Sequence, residues 1–187
     1  MSYLTIAQAR AASPFQASIV ENRLRKAAAS PASTNYDIFL SHSRLDADII
    51  AGIKAILERG GKRVYVDWID DPQLDRSRVT VATAKVLRQR MQHSASLVFA
   101  TSDNSPNSKW MPWELGYFDG SKPGHIGILP LVERDGERFL GQEYLGLYPD
   151  IEDLPLPNGL RGLGFRLSTG RTVPINELIT NRITLSA

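Results

Sequence analysis

Between Tyr36 and Val132 the chain alternates short apolar runs with amphipathic stretches of helical period, and this alternation restricts the fold more than any other feature. Tyr36-Asp37-Ile38-Phe39-Leu40-Ser41 reads as a strand. Leu45, Ile49, Ile50, Ile53, Ile56 and Leu57 then recur at helical spacing, with Ser43 and Asp46 in capping-box-like positions in front and Gly60-Gly61 as the stop. Arg63 to Asp67 is a second strand, followed by an acidic loop from Trp68 to Asp75. A second helix over Arg78 to His93 turns Val79, Ala82, Val86, Leu87 and Met91 inward. Ala95 to Ala100 is the third strand, a helix opening near Trp110 follows, and Ile126 to Val132 is the fourth strand. Strand and helix in regular alternation require parallel strands, right-handed crossovers and helices on both faces. The predicted class is α/β: a flavodoxin-like, doubly wound parallel sheet of four to five strands.

Outside this block the pattern weakens. Glu143 to Leu147 is a candidate fifth strand, and Pro149 to Pro157 reads as a loop. Phe165 to Ser168 and Arg171 to Pro174 pair as a small C-terminal hairpin around Thr169-Gly170, and Asn176 to Arg182 forms a closing helix. Residues 1–35 are set apart as an N-terminal helical extension and linker, with 36–187 as the domain and its C-terminal elaboration. Phe15, Ile19, Val20 and Leu24 mark a short helix after Ser13-Pro14. A helix packed on the domain, an oligomerisation arm and a frayed extension compete for this segment, the first two being favoured. A targeting peptide suits its basic, Ala/Ser-rich composition, but Glu21 and the lack of an Arg-rich periodicity oppose it.

Composition removes several function classes. At 187 residues and 42% hydrophobic, the chain has material for one ordinary domain with additions. Its 22 basic and 20 acidic residues leave +2, so the pI near 9.0 reflects a small excess and not the basic field a nucleic-acid partner needs. There are no cysteines, which rules out disulfides and thiolate metal sites and fits a reducing compartment. No apolar run approaches the ~20 residues of a membrane span, and the N-terminus lacks the basic head and apolar core of an export signal. The expected setting is cytoplasmic.

In open α/β sheets, ligands sit beyond the carboxyl ends of the strands, where strand order reverses. Here those tips are Ser41-His42-Ser43-Arg44, Asp67-Trp68 and Thr101-Ser102-Asp103. Ser108-Lys109-Trp110-Met111-Pro112-Trp113-Glu114 then opens the third helix. Trp110 and Glu114, four residues apart, share a helix face, unless Pro112, suited to a first turn, leaves Trp110 just outside. A plainer reading makes the tips polar because loops face water, the tryptophans core, and Glu114 a helix-start acid favoured by the dipole. Convergence of the tips with Trp68, Trp110, Trp113 and one carboxylate favours a pocket for a flat or cationic ligand. No glycine follows the first strand, so neither a Rossmann fingerprint nor a P-loop is present. His42, His93 and His125 lack metal-ligand spacing. Asp67, Asp70, Asp71 and Asp75 crowd one loop that reads as solvated, whereas magnesium wants carboxylates from several elements. No metal and no resident cofactor are predicted. A Gly-x-Ser-x-Gly elbow is missing, as is the acidic pair that a phosphoacceptor receiver carries after its first strand.

Tyr36 to Ser43, Val64 to Asp67 and Ser108 to Glu114 resemble, in order and spacing, the three signature boxes of Toll/interleukin-1 receptor (TIR) domains. The resemblance covers roughly Tyr36 to Val132. With no receptor, death or nucleotide-binding module beside it, the chain is similar to the small bacterial TIR proteins, which include NAD-cleaving enzymes and the signal-producing component of Thoeris antiphage defence. The resemblance implies that Glu114 is the catalytic carboxylate and NAD+ a substrate, not a cofactor. It further implies an ADP-ribose-derived product read by a downstream effector, and self-association through TIR–TIR contacts of the loop Trp68 to Ser77. Nucleic acid and membrane are not expected partners.

The chemistry suits a lone acid. Nicotinamide leaves as a neutral molecule because the pyridinium already carries the positive charge, so the paired carboxylates of ordinary glycoside hydrolysis are not required. One carboxylate can orient the ribose hydroxyls and stabilise the developing oxocarbenium ion. Arg44 is the candidate partner for the pyrophosphate. Phe39, Trp68 and Trp113 offer stacking surface, although Phe39 in a buried strand suits the core as well. Ser41 and Ser43 are candidate hydroxyl contacts, and His42, Asp67 and Trp110 complete the candidate substrate-binding set. Ser43 stands where many enzymatic relatives carry a basic residue, which leaves Arg44 alone to meet the phosphates. Two other functions stay open: a TIR scaffold without turnover, and a nucleoside deoxyribosyltransferase-like enzyme, which also uses a single Glu.

Overall fold

Ile38 and Leu40 of the first predicted strand enter one buried cluster while Phe39 between them enters another, so both faces of that strand are covered, as a parallel sheet flanked by helices requires. The computed structural model, which describes residues 2–13, 31–155 and 161–180, builds the main sheet from β1 (Leu4–Thr5), β2 (Tyr36–Ser41), β3 (Val64–Tyr65), β4 (Ser94–Thr101) and β5 (Ile126–Val132). Their spatial order is β1-β5-β4-β2-β3, and every pairing is parallel, with Ile38 opposite Val64, Leu40 opposite Val98 and Leu97 opposite Ile126. From β2 the chain steps outward to β3 and then crosses back to β4 on the other side. Strand order therefore reverses between β2 and β4, and the crevice at their carboxyl ends is the expected ligand position.

Among the described residues, five helices accompany the main sheet: α1 (Ile6–Ala12), α2 (Ala47–Arg59), the short α3 (Asp67–Asp70), α4 (Val81–Gln92) and α5 (Met111–Ser121). Ala9 of α1 and Ile49, Ile50, Ile53 and Leu57 of α2 fill one face, and Leu87 and Met91 of α4 with Met111, Leu115 and Phe118 of α5 fill the other. Gly60 ends α2, and Gly61 takes the left-handed conformation (φ 76°) that turns the chain. α1 lies against α2 so closely that a Cβ on Gly52 would stand 1.7 Å from the carbonyl oxygen of Ala9.

Several expectations are corrected. Glu143–Leu147 is a 3-10 helix and not a strand. The fifth strand comes instead from Leu4–Thr5, within the segment set apart as an extension, and Thr5 also caps α1 in a reciprocal box with Gln8 (3.1 and 2.8 Å). β3 is only two residues long because Val66 N donates to Asp70 Oδ2 (2.8 Å) and the chain coils into α3 at Asp67. In the segment read as a loop, Glu152–Pro155 forms β6, which pairs antiparallel with β7 (Arg161–Arg166). β7 pairs in turn with β8 (Thr172–Pro174), so the C-terminal hairpin is part of a three-stranded sheet, and α6 (Asn176–Thr180) follows. Leu45 lies in a 3-10 turn before α2 and is 69% exposed, and Val79 (66%) and Ala82 point outward because α4 begins only after its cap at Thr80. Ser43 accepts from Leu45 N as a cap should, but Asp46 turns inward instead of closing the box. The helix expected at Phe15 to Leu24 lies outside the described residues. No helix among those described is long and apolar enough to cross a membrane.

Candidate active site

Alternation along β2 places Ser41 on the same face as Phe39, the side covered by α4 and α5. On that side α5 starts one residue after Trp110, with Pro112 in its first turn. Glu114 N donates to Trp110 O at 2.8 Å, so the two residues remain tied by a helical hydrogen bond although Trp110 is the N-cap. The result is a carboxylate with no solvent exposure at the strand-order reversal.

Both its oxygens are engaged. Ser41 Oγ donates to Glu114 Oε2 at 2.6 Å, and Arg76 Nη2 donates to Oε1 at 2.7 Å. The other terminal nitrogen of Arg76 lies 2.9 Å from Asp67 Oδ2. His42 Nε2 stands 3.2 Å from Asp67 Oδ1, while His42 Nδ1 faces the Leu40 carbonyl at 2.8 Å and must carry a proton to bond with it. His42, Asp67, Arg76, Glu114 and Ser41 therefore form one buried polar chain across the tips of β2 and β3 and the start of α5. Burial opposes ionisation of Asp67, but His42 and Arg76 beside it hold its carboxyl well below the usual range. Burial likewise works against the charge on Arg76, and Glu114 and Asp67 outweigh it, raising its affinity for the proton. Trp110 Nε1 donates to the Arg76 carbonyl at 3.0 Å and fixes that backbone over the site.

Above Arg76 opens a cleft of about 230 Å³ walled by His42, Ser43, Arg44, Lys109 and Trp110, with no carboxylate in its lining. Glu114 is salt-linked, yet it lies one side chain beneath this cleft. A second depression, about 610 Å³, lies at the tip of β4. There Asp46 accepts from Ser102 Oγ and Asn104 Nδ2, both at 2.6 Å, so the Thr101-Ser102-Asp103 tip serves that depression and not Glu114.

Of the candidate residues, Ser41, His42, Asp67, Trp110 and Glu114 are brought together, and Ser43 and Arg44 join the cleft wall. The other aromatics lie elsewhere. Phe39 is buried in a stack with Tyr65 (5.1 Å), and Trp68 packs against the core on the opposite face. Trp113 meets Trp110 of the cleft wall edge-on (5.5 Å) but does not line the cleft; it stacks on Tyr117 (5.8 Å) beneath Arg88 on the outer surface of α4 and α5. The acidic loop is not the solvated run its composition suggests. Asp71 is buried in a two-pronged bond with Arg90 (2.8 and 2.7 Å) and accepts from Tyr65 OH, and Asp70 lies 3.7 Å from Lys54. Arg76 and Lys109 are the residues that sequence reasoning passed over. The available signal was slight: Arg76 is a cation inside an acidic segment, and Lys109 immediately precedes Trp110.

A TIR-domain family model matches residues 38–151. Over 117 residues the chain is 58% identical to a protein of Bacillus cereus (strain MSX-D12) named "Probable 3' cyclic ADP-D-ribose synthase ThsB'", covering 62% of this chain and 60% of that protein. Over 83 residues it is 37% identical to a Cytobacillus dafuensis protein whose name gives it, provisionally, as cyclic ADP-D-ribose synthase TIR2, covering 44% of this chain and 22% of that one. The matches thus span less than two thirds of either relative's length. The solved TIR domain of the Toll-related receptor TRR-2 of Hydra magnipapillata aligns with 62% of this chain and 84% of its own at 18% identity and a TM-score of 0.45.

Proposed function

Because the chain belongs to the TIR domain family, we propose that it cleaves the nicotinamide–ribose bond of NAD+ and releases a cyclised ADP-ribose product, with Glu114 as the catalytic carboxylate. One observation carries the reading: Glu114 is a solvent-free acid at the reversal of strand order, beneath a cleft that presents cations and an indole but no second acid. That cleft holds no second carboxyl to act as the general acid of ordinary glycoside cleavage, and nicotinamide does not need one. In a water-excluded floor a fixed negative charge stabilises an oxocarbenium ion more strongly than it would in water. Arg44 meets the pyrophosphate at the cleft mouth, and Trp110 supplies the ring surface.

The names of both relatives support the cyclised product. An antiphage-defence signal, a downstream effector that reads it and a cytoplasmic setting belong to the same proposal. So does self-association through Trp68 to Ser77, which the neighbouring Val79 and Val81, 66% and 85% exposed, would extend with apolar surface. The test is purified protein with NAD+ at high protein concentration, following nicotinamide release and product mass beside Glu114→Gln. Loss of the carboxylate should lower the rate by at least about 10²-fold, and equal rates would remove Glu114 from the mechanism. The cover that Arg76 places over Glu114 favours a second reading, an assembly module without turnover. Undetectable nicotinamide release from a protein that still self-associates would establish it.

A further inference from the structure

The cleft above Glu114 has an unbalanced lining. Arg44, Arg76 and Lys109 face it together with His42, and no carboxylate does, in a chain whose charges nearly cancel at 22 against 20. Arg44 and Lys109 are exposed; neither side chain hydrogen-bonds to or ion-pairs with another described residue, although Arg44 lies close enough to Asp75 to help hold that carboxyl below its ordinary range. Such a lining suits a polyanion. Arg76 differs from its neighbours in being spent: its side chain is 8% exposed and its two terminal nitrogens sit on Glu114 and Asp67. Its backbone, however, is tethered. Trp110 Nε1 holds the Arg76 carbonyl, and Thr83 Oγ1 holds the adjoining Asp75 carbonyl, each at 3.0 Å. Rotation about the Arg76 side-chain bonds can therefore carry the guanidinium from the floor into the cleft while the main chain stays where it is.

Resting on the reading of this protein as an NAD+-cleaving enzyme, we propose that Arg76 is a substrate-operated latch. The pyrophosphate of the dinucleotide, held between Arg44 and Lys109, draws the Arg76 guanidinium off Glu114 and so uncovers the carboxylate that the ribose requires. A guanidinium binds phosphate oxygens with the same two-pronged geometry as a carboxylate, so one charge-assisted contact replaces another. Release of the product returns Arg76 to Glu114. The device makes phosphate recognition a condition of catalysis: a nicotinamide riboside without phosphates leaves Arg76 in place and loses turnover, not affinity alone. Arg76 and Lys109 are in this way specificity-determining residues.

The experiment compares NAD+ with nicotinamide riboside, both saturating, by nicotinamide release from the wild-type protein. The riboside should turn over more slowly, and inorganic pyrophosphate added to the mixture should accelerate it by at least about tenfold, the worth of one charge-assisted hydrogen bond. Arg44→Ala/Lys109→Ala should abolish that acceleration. In Arg76→Lys, whose point charge cannot span both carboxylates, the rate gap between the two substrates should narrow by at least about tenfold, again one such contact. A purely structural Arg76 would lower both rates together and leave their ratio intact. Pyrophosphate that only inhibits the riboside reaction, or an unchanged ratio in Arg76→Lys, overturns the latch. A second measurement needs no turnover: the Arg76 Nε–Hε resonance of nitrogen-15-labelled protein, assigned with Arg76→Lys, should shift on titration with inorganic pyrophosphate and stay fixed in the double variant. A resonance that does not move in the wild type also overturns it. A shift without nicotinamide release from NAD+ would instead sink the enzymatic reading and leave anion-driven release of Arg76 standing.

Discussion

Replacing Arg76 with methionine, unbranched and of similar reach, strips the shared cation from two acids that have little access to water. The Asp67 and Glu114 side chains are 7% and 0% exposed. After the substitution Glu114 keeps only the Ser41 hydroxyl and Asp67 only the His42 contact. Removing one partner of a buried ion pair costs about 3–5 kcal/mol, and a cation shared by two carboxylates belongs near the top of that range. In a chain of this size each kcal/mol lowers Tm by about 2–4 °C, so Arg76→Met should melt about 10–20 °C lower than wild type near neutral pH. The deficit should depend on pH. In the wild type the folded Asp67 carboxyl is held below its ordinary range against the effect of burial, so its stabilising contribution is present above about pH 4 and is lost on acidification. Without Arg76 burial is less opposed and the folded value rises. The deficit is then largest at pH 8 and shrinks toward pH 5 as the stranded Asp67 takes up a proton. Adding Glu114→Gln removes one stranded charge and should recover about 1–3 kcal/mol of the loss, a coupling readable from the double-mutant cycle. Thermal melts followed by circular dichroism at the two pH values decide the matter. An Arg76→Met protein as stable as wild type at pH 8, or one with the same deficit at both pH values, refutes the buried bridge.

Gly52→Ala places a methyl group 1.7 Å from the Ala9 carbonyl oxygen and 2.7 Å from its carbon. Backbone cannot yield to it as a side-chain tip would, so α1 must lift from α2 at a cost of about 1–3 kcal/mol in urea unfolding; an unchanged midpoint would show that α1 is not seated there. Asp67 and Asp48 both have folded carboxyls held below the ordinary range, burial opposing the shift in the first and the Arg10 hydrogen bond leading it in the second. The contribution of these two acids to stability, measured by denaturant, should accordingly be lost between pH 5 and pH 2, while Asp70 and Asp150, whose carboxyls burial raises, add stability on acidification just above that window. An acid limb of the same depth in Asp67→Asn would remove Asp67 from the account.

The central strands were legible because a strand covered on both faces is an apolar run closed by polar tips. Ile126 to Val132 shows this without ambiguity, and the observed strand has the same ends. Glu143 to Leu147 misled because its apolar residues, Tyr144, Leu145 and Leu147, are too few to separate a strand from a 3-10 turn, and Leu147 is in fact 73% exposed. Leu4 and Thr5 carry no periodicity at all in two residues; only their partner strand reveals them. The site divided in the same way. Glu114 and the β2 tip could be found because local rules place them at the sheet edge. Arg76 could not, since charge in a loop says nothing of direction and the carboxylate it meets is 38 residues further on. Asp71 is the mirror case: in sequence it is one of several acids, and only the packing of α4 gives it Arg90.

Leu4 and Thr5 rest against Leu131 and Val132, so of the described strands of the main sheet the first to be made is seated only when the last arrives. Until Val132 emerges, closing that loop has no reward to set against its entropy. Without Leu4 and Thr5 the outer border of Ile126–Val132 would keep only the Ile128–Asp150 bridge beside it, and a largely unpaired border of this kind recruits strands from other chains. A truncated product that lacks Leu4 and Thr5 would therefore clump through that border, whatever the state of its chemistry.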